Sequence, residues 1–172
     1  IRIAVEAGLR DLGENYVQEL RAKQPLLPTA TWHFVGTLQG GSARHVARHA
    51  DVVQTLAPGG AVERLSSRLA ALGRSIPCLI EVDLTGDRPG VRPEDLRSFA
   101  TLVRSLPGVR LAGLMTLPPA DADPEAARPF FRRLRELRDD LAFFTRTLKM
   151  RLDMIYPADN PEVAVLSGHG LR

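Results

Sequence analysis

Short apolar runs alternate along the chain with stretches in which apolar residues recur every third or fourth position. The runs near "RDLGE" (10–14), "TWHFVG" (31–36), "DVVQTL" (51–56), "PCLIEVDL" (77–84), "RLAGLMTL" (110–117) and "RLDMIY" (151–156) have the length and composition of strands. Between them, Val62, Leu65, Leu69 and Leu72 mark one helix with a single buried face, and Leu96, Phe99, Val103 and Leu106 mark another. A longer helix carries Phe131, Leu134, Leu137, Leu141 and Phe144, with Pro129 limiting how early it can be regular. Gly73 reads as a C-terminal cap and Pro93 as a first-turn proline. This rhythm predicts an α/β fold in which parallel strands are each covered by the following helix. Six such units fit either an open doubly wound sheet or most of an eight-stranded barrel.

With 172 residues, 44% hydrophobic and 25% charged, the chain suits a single domain spanning 1–172. No apolar run reaches the roughly 18 residues of a membrane span. The N-terminus lacks the basic-then-apolar layout of a secretion signal, so a cytoplasmic protein is expected. The one cysteine, Cys78, lies in an apolar run and is expected to be a buried, inert thiol. A pI near 9.6 invites a nucleic-acid reading, but the net charge is only +3 and arginines are interspersed with Asp and Glu, which argues against it. The only lysines are Lys23 and Lys149. The chain starts on Ile1 and stops at Arg172 directly after "SGHGL", and reads as a fragment.

Candidate chemistry begins at "RDLGENYVQEL", where Glu14, Asn15 and Tyr16 stand between a strand and a helical run. Loops at the carboxyl ends of parallel strands line ligand crevices, which makes Asn15 a site candidate; the competing reading is a helix cap. Glu81 and Asp83 fall on one side of a strand, about 7 Å apart, and suit polar lining better than an acid and base pair, which normally spans a site from different strands. His45 and His49 have metal-ligand spacing without a third ligand, so they read as an exposed helix face and no metal site is expected. Nothing assigns a role to His169. GxGxxG, GxxxxGK[ST] and GxSxG motifs are all missing, which removes the main support for a nucleotide-binding sheet or a serine hydrolase.

The segments "AVEAGLRDLGENYVQEL", "WHFVGTLQ", "LIEVDLTGD", "GLMTLPP" and "FFRRLRELRDDL" occur in the order and spacing of the pyridoxal phosphate homeostasis proteins, and the chain resembles that family from about 1 to 141, with 142–172 divergent. The resemblance implies a (β/α)8 TIM-barrel like the N-terminal domain of alanine racemase, here incomplete or divergent at both ends. It implies pyridoxal 5'-phosphate (PLP) at the C-terminal ends of the strands, a monomer, and a role in vitamin B6 and amino-acid homeostasis without established catalytic turnover. By the same motifs Asn15 would be a polar contact beside the cofactor ring. His33 would face the barrel interior, Gly36 would end its strand, and Met115 would lie beneath the ring. For His33 a core histidine hydrogen-bonded within the barrel is the competing reading.

The departures from the family also carry expectations. Its Schiff-base lysine lies on a strand before the helix that begins here near Ile1. The Asn-Lys pair after the "LQ" turn is replaced by Gly41 and Ser42. "LKM" (148–150) would match the start of the seventh strand and "EVAVLSG" (162–168) the helix after it, while "RLDMIYPADNP" offers no Ser or Gly for a phosphate cradle. The six strands should form a parallel arc, with self-association possible at open edges. Neither Lys23, on a helix, nor Lys149, ahead of a strand, is placed to bond the cofactor, so binding should be non-covalent. The rival readings are a racemase-like PLP enzyme and a cofactor-free remnant of the fold.

Overall fold

The computed structural model describes residues 1–119, 123–140, 150–153 and 164–168. Helix α1 (Arg2–Glu6) leads into four strand-helix units: β1 (Asp11–Glu14) with α2 (Val17–Lys23), β2 (Thr31–Phe34) with α3 (Ala43–His49), β3 (Val52–Leu56) with α4 (Ala61–Ala71), and β4 (Ile76–Glu81) with α5 (Leu96–Ser105). A fifth unit pairs β5 (Val109–Thr116) with α6 (Pro124–Asp140), and β6 (Met150–Asp153) and β7 (Ala164–Gly168) follow. The sheet order is β1-β2-β3-β4-β5-β7-β6. The first five strands are parallel in sequential order, as expected for helix-connected crossovers.

The expectation of a wholly parallel arc fails after β5. β7 pairs antiparallel with β5 through Met115–Val165 and Thr116–Ala164, and β6 pairs antiparallel with β7. The segment expected to be helical at 162–168 is therefore strand over Ala164–Gly168. Its short apolar run has no length to favour a helix, and pairing with the edge of β5 satisfies its backbone.

Each parallel strand buries one side against the helices. Trp32, Phe34, Val53, Cys78, Ile80 and Leu114 join Leu65, Leu69, Val103 and Leu134 in the main core. The α4 face closes on Val62, Leu65 and Leu69 as expected, but Leu72 is 43% exposed because the helix ends there and Gly73 turns away with φ 62°. Pro93 opens a single 3-10 turn (Pro93–Asp95) that runs into α5. α6 contradicts the expected late start, since Pro129 lies inside it. Asp123 explains this: its Oδ1 accepts from the N–H groups of Glu125 (2.6 Å) and Ala126 (3.2 Å), and Pro124 at the first position needs no N–H partner. Leu141 and Phe144 lie outside the described residues, as do Lys149, Ile155, Tyr156, His169 and Arg172.

Arg74, just after α4, reaches back to α3. It donates to the carbonyls of Ala47, Arg48 (2.9 Å) and Ala50 (2.9 Å), which are left without partners where α3 stops. It also meets Asp51, whose other oxygen accepts from the Trp32 N–H at 2.9 Å. Among the described residues no helix is long and apolar enough to cross a membrane. Cys78 is fully buried, and burial pushes its thiol up to about 12 despite the Val53 N–H and Arg110 nearby.

Candidate functional site

With the helix side of the sheet filled by apolar residues, the alternate residues face the opposite, inner side. There His33 on β2 bridges its two neighbours. Gln54 Nε2 on β3 lies 2.8 Å from His33 Nδ1, and His33 Nε2 lies 3.1 Å from Asp11 Oδ1 on β1. This pattern suits an imidazole with its proton on Nε2, donating to the carboxylate. The histidine is held by hydrogen bonds to both neighbouring strands. Further across the same face Leu79, Ala112 and Met115 form a small apolar cluster edged by Leu117. Met115 is 2% exposed and stands in register beside Glu81.

Glu81 is itself 4% exposed, and burial raises its carboxyl above the usual range, with Arg88 opposing and Asp83 reinforcing the shift. Asp83 behaves differently. Burial alone would raise it, but its Oδ1 accepts from the N–H of Gly86 (2.8 Å), the N–H of Thr85 (3.0 Å) and the Thr85 hydroxyl (3.1 Å), and Arg92 lies 3.4 Å from Oδ2. The net effect holds Asp83 below its ordinary value, and its bonds organise the loop after β4. Two carboxylates on one strand side therefore divide into a lining residue and a loop clamp.

At the carboxyl ends of β1 and β2 the chain is crowded. A Cβ on Gly36 would press into the Asn15 carbonyl oxygen and come within 3.0 Å of Asn15 Oδ1. The Gly36 carbonyl accepts from the buried Thr55 hydroxyl at 2.5 Å, tying in the end of β3. Asn15 does not cap α2: Tyr16 holds the cap position in extended conformation, and no side chain makes a capping bond. Asn15 is exposed at the rim, and so is Tyr16. Of the four candidates, Asn15 and Gly36 are brought together just beyond the ends of β1 and β2, His33 lies within β2 with other partners, and Met115 lies on β5. Sequence reasoning missed Gln54 and Asp11 as partners of His33; the amide of Gln54 inside the otherwise strand-like run "VVQTL" was the available signal.

The lysine question has a direct answer for Lys23. Its Nζ lies 2.6 Å from Glu14 Oε1 and 3.1 Å from Glu19 Oε2, and hydrogen bonds to these two carboxylates raise its pKa. It stays an ammonium on the helix side, unavailable as an amine nucleophile. His45 and His49 are half-buried rather than fully exposed; burial lowers both, and neighbouring arginines add to the effect. Among the described residues no group of three His, Cys, Asp or Glu side chains is placed to hold a metal.

Residues 1–151 match the family model described as the N-terminal domain of alanine racemase. The chain is 37% identical over 172 residues to the pyridoxal phosphate homeostasis protein of Pseudomonas aeruginosa, covering 98% of this chain and 73% of that protein. The protein of the same name from Aquifex aeolicus is 36% identical over 145 residues, so that the match spans 82% of this chain and 64% of that one. Among solved structures, PipY of Synechococcus elongatus with PLP bound superposes with a TM-score of 0.76 at 34% identity, over 83% of this chain and 68% of PipY. The alanine racemase of Clostridium difficile reaches a TM-score of 0.69 at 15% identity, over 83% of this chain and 38% of the enzyme, a likeness of fold alone.

Proposed function

The chain belongs to the pyridoxal phosphate homeostasis proteins, within the alanine racemase N-terminal domain family, and from that premise we propose that its inner face forms part of a PLP-binding site serving vitamin B6 and amino-acid homeostasis. The observation that supports this reading is the mixed character of that face. PLP presents a flat aromatic ring bearing a hydroxyl group. The Leu79, Ala112 and Met115 cluster offers apolar cover for a ring, and His33, Gln54 and the Asn15 rim offer hydrogen-bonding partners.

The described residues fit such a group as a non-covalent lining. They do not fit covalent attachment, because Lys23 is paired to two carboxylates. PLP supplies electron withdrawal and an aldehyde reactive toward amines. This chain's residues supply position: His33 is fixed by Asp11 and Gln54, and the Asn15 main chain packs closely against Gly36. Asp83 is committed to its loop and is not set as a partner for Glu81 in acid and base chemistry. The reading is a cofactor carrier or regulator in the cytoplasm rather than a catalyst.

The test is a PLP titration of the purified chain followed by the fluorescence of Trp32, its one tryptophan, with borohydride then added to fix any lysine-bound cofactor for mass spectrometry. Saturable quenching that weakens in Asn15→Ala, without stoichiometric labelling of Lys23, supports the proposal. Absence of saturation, or saturation indifferent to both Asn15→Ala and His33→Ala, overturns it.

A further inference from the structure

The loop after β2, the start of α3 and the exposed face of α4 border an open surface cavity of about 670 Å³. Gly40, Arg44, Glu63, Arg64 and Arg68 line it, so three guanidinium groups border one space against a single carboxylate. Arg64 and Arg68 are one turn apart on α4, a like-charge spacing that disfavours a helix. Some arginines elsewhere, Arg74, Arg92, Arg133 and Arg138, each meet a carboxylate. Among the described residues, Arg44, Arg64 and Arg68 form no such ion pair; Arg44 instead donates to His45 Nε2 at 3.0 Å. The backbone makes room for this arrangement. A Cβ on Gly40 would lie 2.6 Å from Arg64 Nη1 and 3.2 Å from its Cδ, so the bare glycine lets the guanidinium lie against the loop. Ser67 also lines the cavity, its hydroxyl donating to the Glu63 carbonyl at 2.9 Å.

We propose that this cavity binds a phosphate dianion, either inorganic phosphate or the phosphoryl group of a small monoester. Converging guanidinium forks match the geometry and charge of phosphate oxygens, and the volume is that of a small-molecule site. None of His33, Met115, Asn15 or Gly36 lines this cavity, so the two proposals rest on separate residues and are tested by separate variants.

Isothermal titration of the full chain with inorganic phosphate, and separately with phenyl phosphate, at ionic strength held constant with chloride, decides the matter. The expected result is saturable binding that weakens by about tenfold or more in the Arg64→Ala/Arg68→Ala double variant and is unchanged in Asn15→Ala. Tighter binding of phenyl phosphate marks a monoester site, and tighter binding of inorganic phosphate marks a site for the free anion. No saturable binding of either probe, or binding that survives the double variant with its circular dichroism intact, overturns the proposal.

Discussion

The main-chain carbonyl of Asn15 occupies the volume that a Cβ at Gly36 would need, so the ends of β1 and β2 meet backbone to backbone. Replacing Gly36 with Ala must move one loop or the other. Overpacking of this kind costs about 1–3 kcal/mol. The variant is expected to unfold at lower denaturant and, if the inner face binds PLP, to bind it more weakly than the parent; chemical denaturation and PLP titration measure both.

Glu81 gives a pH dependence with a definite sign. Its folded carboxyl titrates above the unfolded one, so ionisation costs more in the native state, and the relative stability present below the ordinary carboxylate range is lost as pH rises through the folded value. Glu81→Gln is therefore expected to melt higher than the parent at neutral pH, with the difference shrinking on acidification. Melting curves across the acid range check this.

Asp83 has the opposite sign. Its depressed value means stability that is present above the unfolded carboxylate pKa and lost as pH falls through the folded one. Asp83→Ala also leaves the N–H groups of Thr85 and Gly86 without their acceptor, a loss of about 1–3 kcal/mol. The variant should have a lower melting temperature at neutral pH and a flatter acid limb.

Cys78 should be silent toward a thiol reagent in the native protein and react once denaturant is added, because its thiol is buried and held protonated. Rapid native labelling would show that β4 opens readily.

The strand and helix rhythm was legible because each parallel strand shows its buried residues as an apolar run, and the helices show theirs at three-and-four spacing. Asn15 is a candidate from its place between strand and helix and Gly36 from the family resemblance, but their mutual close approach depends on how β1 and β2 are placed side by side, which spacing along one chain does not carry. The Asp11–His33–Gln54 bridge was hidden for the same reason, since it joins three strands. The early start of α6 was written in Asp123 and Pro124, and the weight given to Pro129 obscured it. The strand at Ala164–Gly168 was misread because a short apolar run looks alike in helix and strand until a neighbour's edge is available.

Arg74 gives the architecture a property that its strand-helix units lack by themselves. In a chain of successive units, each packed mainly on the next, unravelling can proceed from an end and stop anywhere. One guanidinium that gathers the last carbonyls of α3 from a position beyond α4, and reaches Trp32 through Asp51, makes the second and third units a single cooperative block. Amide exchange across β2 to α4 should then rise and fall together, as one foldon, and Arg74→Ala should split it into two.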